Sequence, residues 1–139
     1  MAWLAGAEPE NREAKVLKVL VAIRAGQARE KLQNAIGELL ALQAADGGWS
    51  QNDQTKSDAF ATGQMLYVLA QAGYTDQQPE IRRAIDYLLS TQKPDGSWPM
   101  ISRATPDGRP GSAKLLTPIT IGASSWATLG LATLSPNKP

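Results

Sequence analysis

A fifteen-residue stretch occurs twice in this chain at a fixed spacing, and that repeat limits the possible folds more than any other feature. Residues 35–49 read Ala-Ile-Gly-Glu-Leu-Leu-Ala-Leu-Gln-Ala-Ala-Asp-Gly-Gly-Trp. Residues 84–98 read Ala-Ile-Asp-Tyr-Leu-Leu-Ser-Thr-Gln-Lys-Pro-Asp-Gly-Ser-Trp. Gln92 follows Gln43 by 49 residues, and Trp98 follows Trp49 by the same 49. A period of this size accommodates one helix pair with its loops, and such units stack because none buries its apolar face alone. The shared core is Gln43, Asp46, Gly47 and Trp49, then Gln92, Asp95, Gly96 and Trp98. Asp-Gly supplies a tight turn. The tryptophan can fold back on the helix end, burying its ring while the indole N–H finds an acceptor. The glutamine amide is placed to serve carbonyls left open at the helix end. These eight residues are therefore expected to be a structural stitch between repeats.

Hydrophobic periodicity predicts five helices, at about 12–25, 28–43, 58–72, 79–91 and 121–134. The first, third and fifth carry apolar residues around most of their circumference. The second and fourth carry one stripe, Leu32, Ala35, Ile36, Leu39 and Leu40 in one and Ile81, Ala84, Ile85, Leu88 and Leu89 in the other. A helix apolar on every side is buried on several sides, and a striped helix keeps one face in water. Their alternation predicts an all-α fold, an α/α toroid or open part-toroid of inner and outer helices with about two and a half helix pairs. Gly26 and Gly73 suit the ends of inner helices, Asp58 or Ser57 suits a helix cap, and Pro79 a first helical position. The 139 residues form a single helical repeat domain, expected to be a portion of a larger protein.

Composition removes several chemistries. The chain has no histidine and no cysteine, so zinc sites built on imidazole or thiolate, and Ser-His or Cys-His nucleophiles, are excluded. No metal and no cofactor is expected. Fourteen basic and thirteen acidic residues give no electrostatic footprint for nucleic acid. Residues 115–134 are uncharged and nearly long enough to span a bilayer, but Pro118, Gly122, Gly130 and six hydroxyl residues favour a buried helix behind a loop. Residues 1–10 lack a signal-peptide layout, and the compartment is unassigned.

The two Gln-x-x-Asp-Gly-x-Trp segments resemble the QW motifs of squalene–hopene cyclases and oxidosqualene cyclases. Residues 58–64 resemble the start of an inner helix in that family, and 124–131 its last inner helix. The resemblance covers about 12–134 and implies the terpenoid-cyclase/protein-prenyltransferase toroid fold. It also implies questions of chemistry. Class II cyclases protonate an alkene with the acid of an Asp-x-Asp-Asp motif. That motif is absent, and Asp58 is a weak candidate for the acid, with a helix cap the plainer role. Prenyltransferase zinc ligation needs Cys and His, which this chain lacks. Phe60, Tyr67 and Trp126 fall on inner helices, where aromatic faces could bind an elongated apolar, isoprenoid-like ligand; core packing is the alternative. A weaker echo pairs 60–62 with 126–128.

A long loop is expected at 99–118, with Arg103, Arg109 and Lys114 against Asp107; Arg103 is a candidate for an anionic group. The end helices lack polar capping faces, which implies self-association or a longer chain. The expected role is a non-catalytic repeat module, a scaffold or an apolar-ligand binder. Two alternatives stand beside it: a class II triterpene cyclase fragment whose acid lies elsewhere, and an α/α-toroid polysaccharide lyase.

Overall fold

The computed structural model describes residues 11–100 and 113–134. Among these residues the chain forms five helices and no strand: α1 (Arg12–Arg24), α2 (Arg29–Ala41), α3 (Ala59–Gln71), α4 (Pro79–Thr91) and α5 (Ala113–Leu134). The first four follow the expected bounds within two residues. The fifth does not. It begins at Ala113 and runs through Pro118, so the expected loop at 99–118 gives way to helix over its last six residues. A proline inside a helix removes one backbone donor and normally marks a boundary; here the helix continues across it.

Helix α3 is the centre of the fold. It packs along α5 and against α1, with α4 on its other side. Ala59, Thr62, Gly63, Gln64, Met65, Leu66, Val68 and Leu69 are all buried, which is why its sequence shows no polar face. Helix α4 instead buries Ile81, Ala84 and Leu88 and turns Arg82, Arg83 and Asp86 outward. The two helix types are therefore an inner layer of α1, α3 and α5 and an outer layer of α2 and α4, an open part of an α/α toroid.

The inner helices run in the same direction. Arg12 at the start of α1 bonds to Ser50 and Asp53 just before α3, while Arg24 at its end bonds to Tyr67 late in α3. Along the other contact, Gly122 faces the Phe60 ring, and Gly130 lies against Gly63 and Leu66. Small residues permit this closeness: Ala123 and Ala127 are fully buried on α5, one turn apart. No helix among the described residues is long and apolar enough to cross a membrane.

Several helix ends follow from local chemistry. Asn11 and Asp58 cap α1 and α3, their side-chain oxygens accepting from the N–H groups of Ala14 and Ala61 at 2.9 and 2.8 Å. Pro79 opens α4. Gly26 and Gly73 adopt positive φ just past α1 and α3, as expected.

Candidate functional site

The two repeated turns have the same internal geometry. Gly47 and Gly96 hold φ of +87° and +84°, a conformation that side chains with a Cβ rarely adopt. The glutamine amide of each turn donates back across it, Gln43 Nε2 to Gly47 O at 2.9 Å and Gln92 Nε2 to Gly96 O at 3.0 Å. Asp46 Oδ1 accepts from Gly48 N, and Asp95 Oδ1 from Ser97 N, both at 3.0 Å. The Ser97 hydroxyl and N–H hold the Asp95 carboxyl below its ordinary range. Each indole closes on the outer helix ten residues before it: Trp49 Nε1 donates to Leu39 O at 2.9 Å and Trp98 Nε1 to Leu88 O at 2.8 Å. Both rings are buried.

Each tryptophan then ties its outer helix to the next inner one. The Trp49 N–H donates to Thr62 Oγ1 on α3 at 2.9 Å, and the Trp98 N–H to Ser124 Oγ on α5 at 3.1 Å. This sets the register of the inner helices. Ser124 is the counterpart of Thr62, and Gly122 that of Phe60, so the echo of 60–62 in 126–128 is displaced by four residues, about one helical turn. Asp58 lies within the first stitch. Its Oδ1 caps α3, its Oδ2 accepts from Gln51 Nε2 at 2.7 Å, and its N–H donates to Trp49 O at 3.0 Å. Both carboxylate oxygens are thus engaged in holding backbone and loop. Tyr87 braces the same corner, donating to Ser57 O at 2.7 Å. Burial, with the nearby Asp46 and Asp58 carboxylates, pushes its hydroxyl up to about 12.

The expected aromatic residues come together. Trp126 on α5 stands between Phe60 and Tyr67, which lie two turns apart on α3. Its ring meets Phe60 edge-on at 6.5 Å between centroids and Tyr67 at 5.9 Å. These are favourable aromatic geometries. All three rings are half-buried and keep part of their surface open. Arg24, which no motif singled out, donates from Nη2 to the Tyr67 hydroxyl at 2.8 Å and brings a cation to one end of the cluster. Arg103 lies outside the described residues, as do Asp107, Gly108 and Arg109.

Beside Phe60, between α1 and α3, a cavity of about 20 Å³ is lined by Val16, Trp49, Gln51, Gln64 and Met65 among others. It has room for about one water, far short of the roughly 300–1,000 Å³ of small-molecule pockets. Of the three clustered rings only Phe60 borders this cavity; the half-buried rings of Phe60, Trp126 and Tyr67 form a wall outside it.

Parallel inner helices, outer helices behind them and a doubled Gln–Trp stitch define an α/α repeat protein of toroid type. A family model described as the squalene–hopene cyclase C-terminal domain matches residues 53–101, which include the second stitch. The chain is 31% identical over 100 residues to a drimenyl diphosphate synthase of Streptomyces showdoensis, covering 72% of this chain and 18% of that protein. It is 32% identical over 94 residues to a drimenyl diphosphate synthase of Streptantibioticus cattleyicolor, covering 68% and 16%. A squalene–hopene cyclase of Alicyclobacillus acidocaldarius is 27% identical over 89 residues, covering 50% and 14%. The chain thus spans less than a fifth of the length of these relatives. It belongs to the terpenoid-cyclase superfamily.

Proposed function

We propose that this cyclase-like module binds an elongated apolar ligand of isoprenoid type along the wall formed by Phe60, Trp126 and Tyr67, and that it is not catalytic by itself. The observation behind this reading is the cluster. Trp126 on one inner helix meets both Phe60 and Tyr67 on another and all three retain open surface, whereas the stitch tryptophans are buried and bonded. From Phe60 to Tyr67 the wall extends about 10 Å at 1.5 Å per helical residue, a length that suits a short stretch of an isoprenoid chain. The ring faces can hold an unsaturated chain by dispersion and a cationic centre by their quadrupoles. Asp58 supports the non-catalytic part, because both its oxygens are occupied in structural bonds.

The test is calorimetric titration with farnesol, comparing the parent chain with Phe60→Ala and Trp126→Leu, each checked for helix content. Affinity should fall at least tenfold in both variants. Unchanged affinity in folded variants would remove the reading.

A second reading draws on the relatives' names. In a longer cyclase the same wall would line part of the reaction chamber, with the acid supplied from outside this chain. Cyclised product from squalene or a linear prenyl diphosphate with the isolated chain would contradict both readings as stated.

A further inference from the structure

Two glutamines line the cavity beside Phe60, and both are buried: Gln51, in the loop before α3, and Gln64, on α3, are each 4% exposed. An amide at that depth needs a partner for its donor and for its acceptor. Gln51 has one of the two. Its Nε2 donates to Asp58 Oδ2 at 2.7 Å, and a carboxylate only accepts, so the orientation of the amide is fixed. That leaves Gln51 Oε1 buried and accepting from no protein group. The Gln64 amide makes no hydrogen bond with any described residue. The one hydroxyl of the lining is engaged elsewhere, for Ser50 Oγ donates to Asn52 O at 2.8 Å and accepts from Arg12 Nη1.

The cavity limits what completes these amides. Its volume of about 20 Å³ takes one oxygen with its hydrogens and has no room for a phosphate or a hydrated ion. An amide oxygen that needs a donor and an amide that offers both a donor and an acceptor match a neutral O–H group, which donates with its hydrogen and accepts at its oxygen.

We infer that this cavity is a subsite for a single hydroxyl oxygen, which donates to Gln51 Oε1 and accepts from the Gln64 amide. The hydroxyl has two sources. One is water. The other is the alcohol end of an isoprenoid chain, because Phe60 borders both the cavity and the aromatic wall. The second source rests on the wall reading proposed above, and the first does not.

Gln64→Met tests the subsite in the free protein, since it keeps the side-chain length and removes the amide. With a bridging hydroxyl, the substitution deletes one partner and leaves Gln51 Oε1 unsatisfied, and the thermal midpoint should fall by roughly 4 °C or more. With an unpaired amide, a thioether in its place relieves a buried polar group and the midpoint rises. Oxygen-17 relaxation dispersion reads the same point apart from stability. The parent should hold one long-lived water more than Gln64→Met, and one more than Val16→Ile, which keeps both glutamines and fills the cavity with a methyl group. A midpoint that holds or rises, or equal water counts in the parent and both variants, would overturn the proposal. Saturating farnesol and its hydrocarbon analogue farnesene then separate the sources. Loss of the long-lived water with farnesol alone assigns the hydroxyl to the ligand, and retention with both assigns it to water. Loss with farnesene as well would overturn the assignment to a hydroxyl. If farnesol does not bind, the wall reading fails while the water count still decides the subsite.

Discussion

Gly63 and Trp126 meet backbone to backbone: a Cβ at Gly63 would lie 2.3 Å from the Trp126 carbonyl carbon. This approach sets the distance between α3 and α5, and with it the reach of Trp126 toward Phe60 and Tyr67. Gly63→Ala cannot be absorbed by a flexible side chain, because the atoms it meets are backbone. The helices must separate, at a cost of about 3 kcal/mol or more. Urea unfolding should show this loss, and the near-ultraviolet circular dichroism of the aromatic cluster should weaken with it. A stability within about 0.5 kcal/mol of the parent would mean that the helices do not cross this closely.

The hydroxyl at position 62 holds a buried N–H. Thr62→Val keeps shape and removes the acceptor for Trp49 N, at an expected cost of about 1–3 kcal/mol. Thr62→Ser should restore most of it. Ser124→Ala, at the half-buried second stitch, should cost less. Denaturant midpoints of the three variants check the order, and an equal loss at both positions would contradict the difference in burial.

The stitches were legible because Trp49 and Trp98 sit in two copies of one sequence, so spacing alone marked them. The inner and outer layers were legible from apolar periodicity, most clearly in α3 and α4. The start of α5 was not. Pro118 signals a boundary locally, and only the structure shows the helix crossing it. The inner register was also obscured, since Thr62 and Ser124 share a role but lie after loops of different length, and the four-residue displacement leaves Trp126 on a helix-like motif either way. Phe60, Tyr67 and Trp126 could be assigned to inner helices, while the Arg24 bond to Tyr67 joins residues 43 apart in sequence that no pattern links.

Tyr87 makes stability fall at high pH. Its folded-state value is raised from 10 to about 12. Below pH 10 both states keep the proton and the contribution is fully present. Between pH 10 and 12 the unfolded chain releases the proton while the folded chain retains it, so stability declines with rising pH. Tyr87→Phe lacks this titration. Its stability deficit relative to the parent, about 1 kcal/mol at pH 7 from the lost bond to Ser57, should shrink across that window. A deficit that stays constant from pH 8 to 12 would contradict the assignment.

Trp49, Trp98 and Trp126 report separately on the stitches and on the aromatic wall. The indole N–H groups of Trp49 and Trp98 are bonded to Leu39 and Leu88 carbonyls behind buried rings, whereas Trp126 stands half-open between Phe60 and Tyr67. The most direct test is therefore a nitrogen–proton correlation spectrum of the indole region during titration with farnesol. The Trp126 signal should shift progressively and saturate, while those of Trp49 and Trp98 hold their positions. Movement of Trp49 or Trp98 with Trp126 unchanged, or no movement at all, would contradict a ligand lying on the Phe60–Trp126–Tyr67 wall.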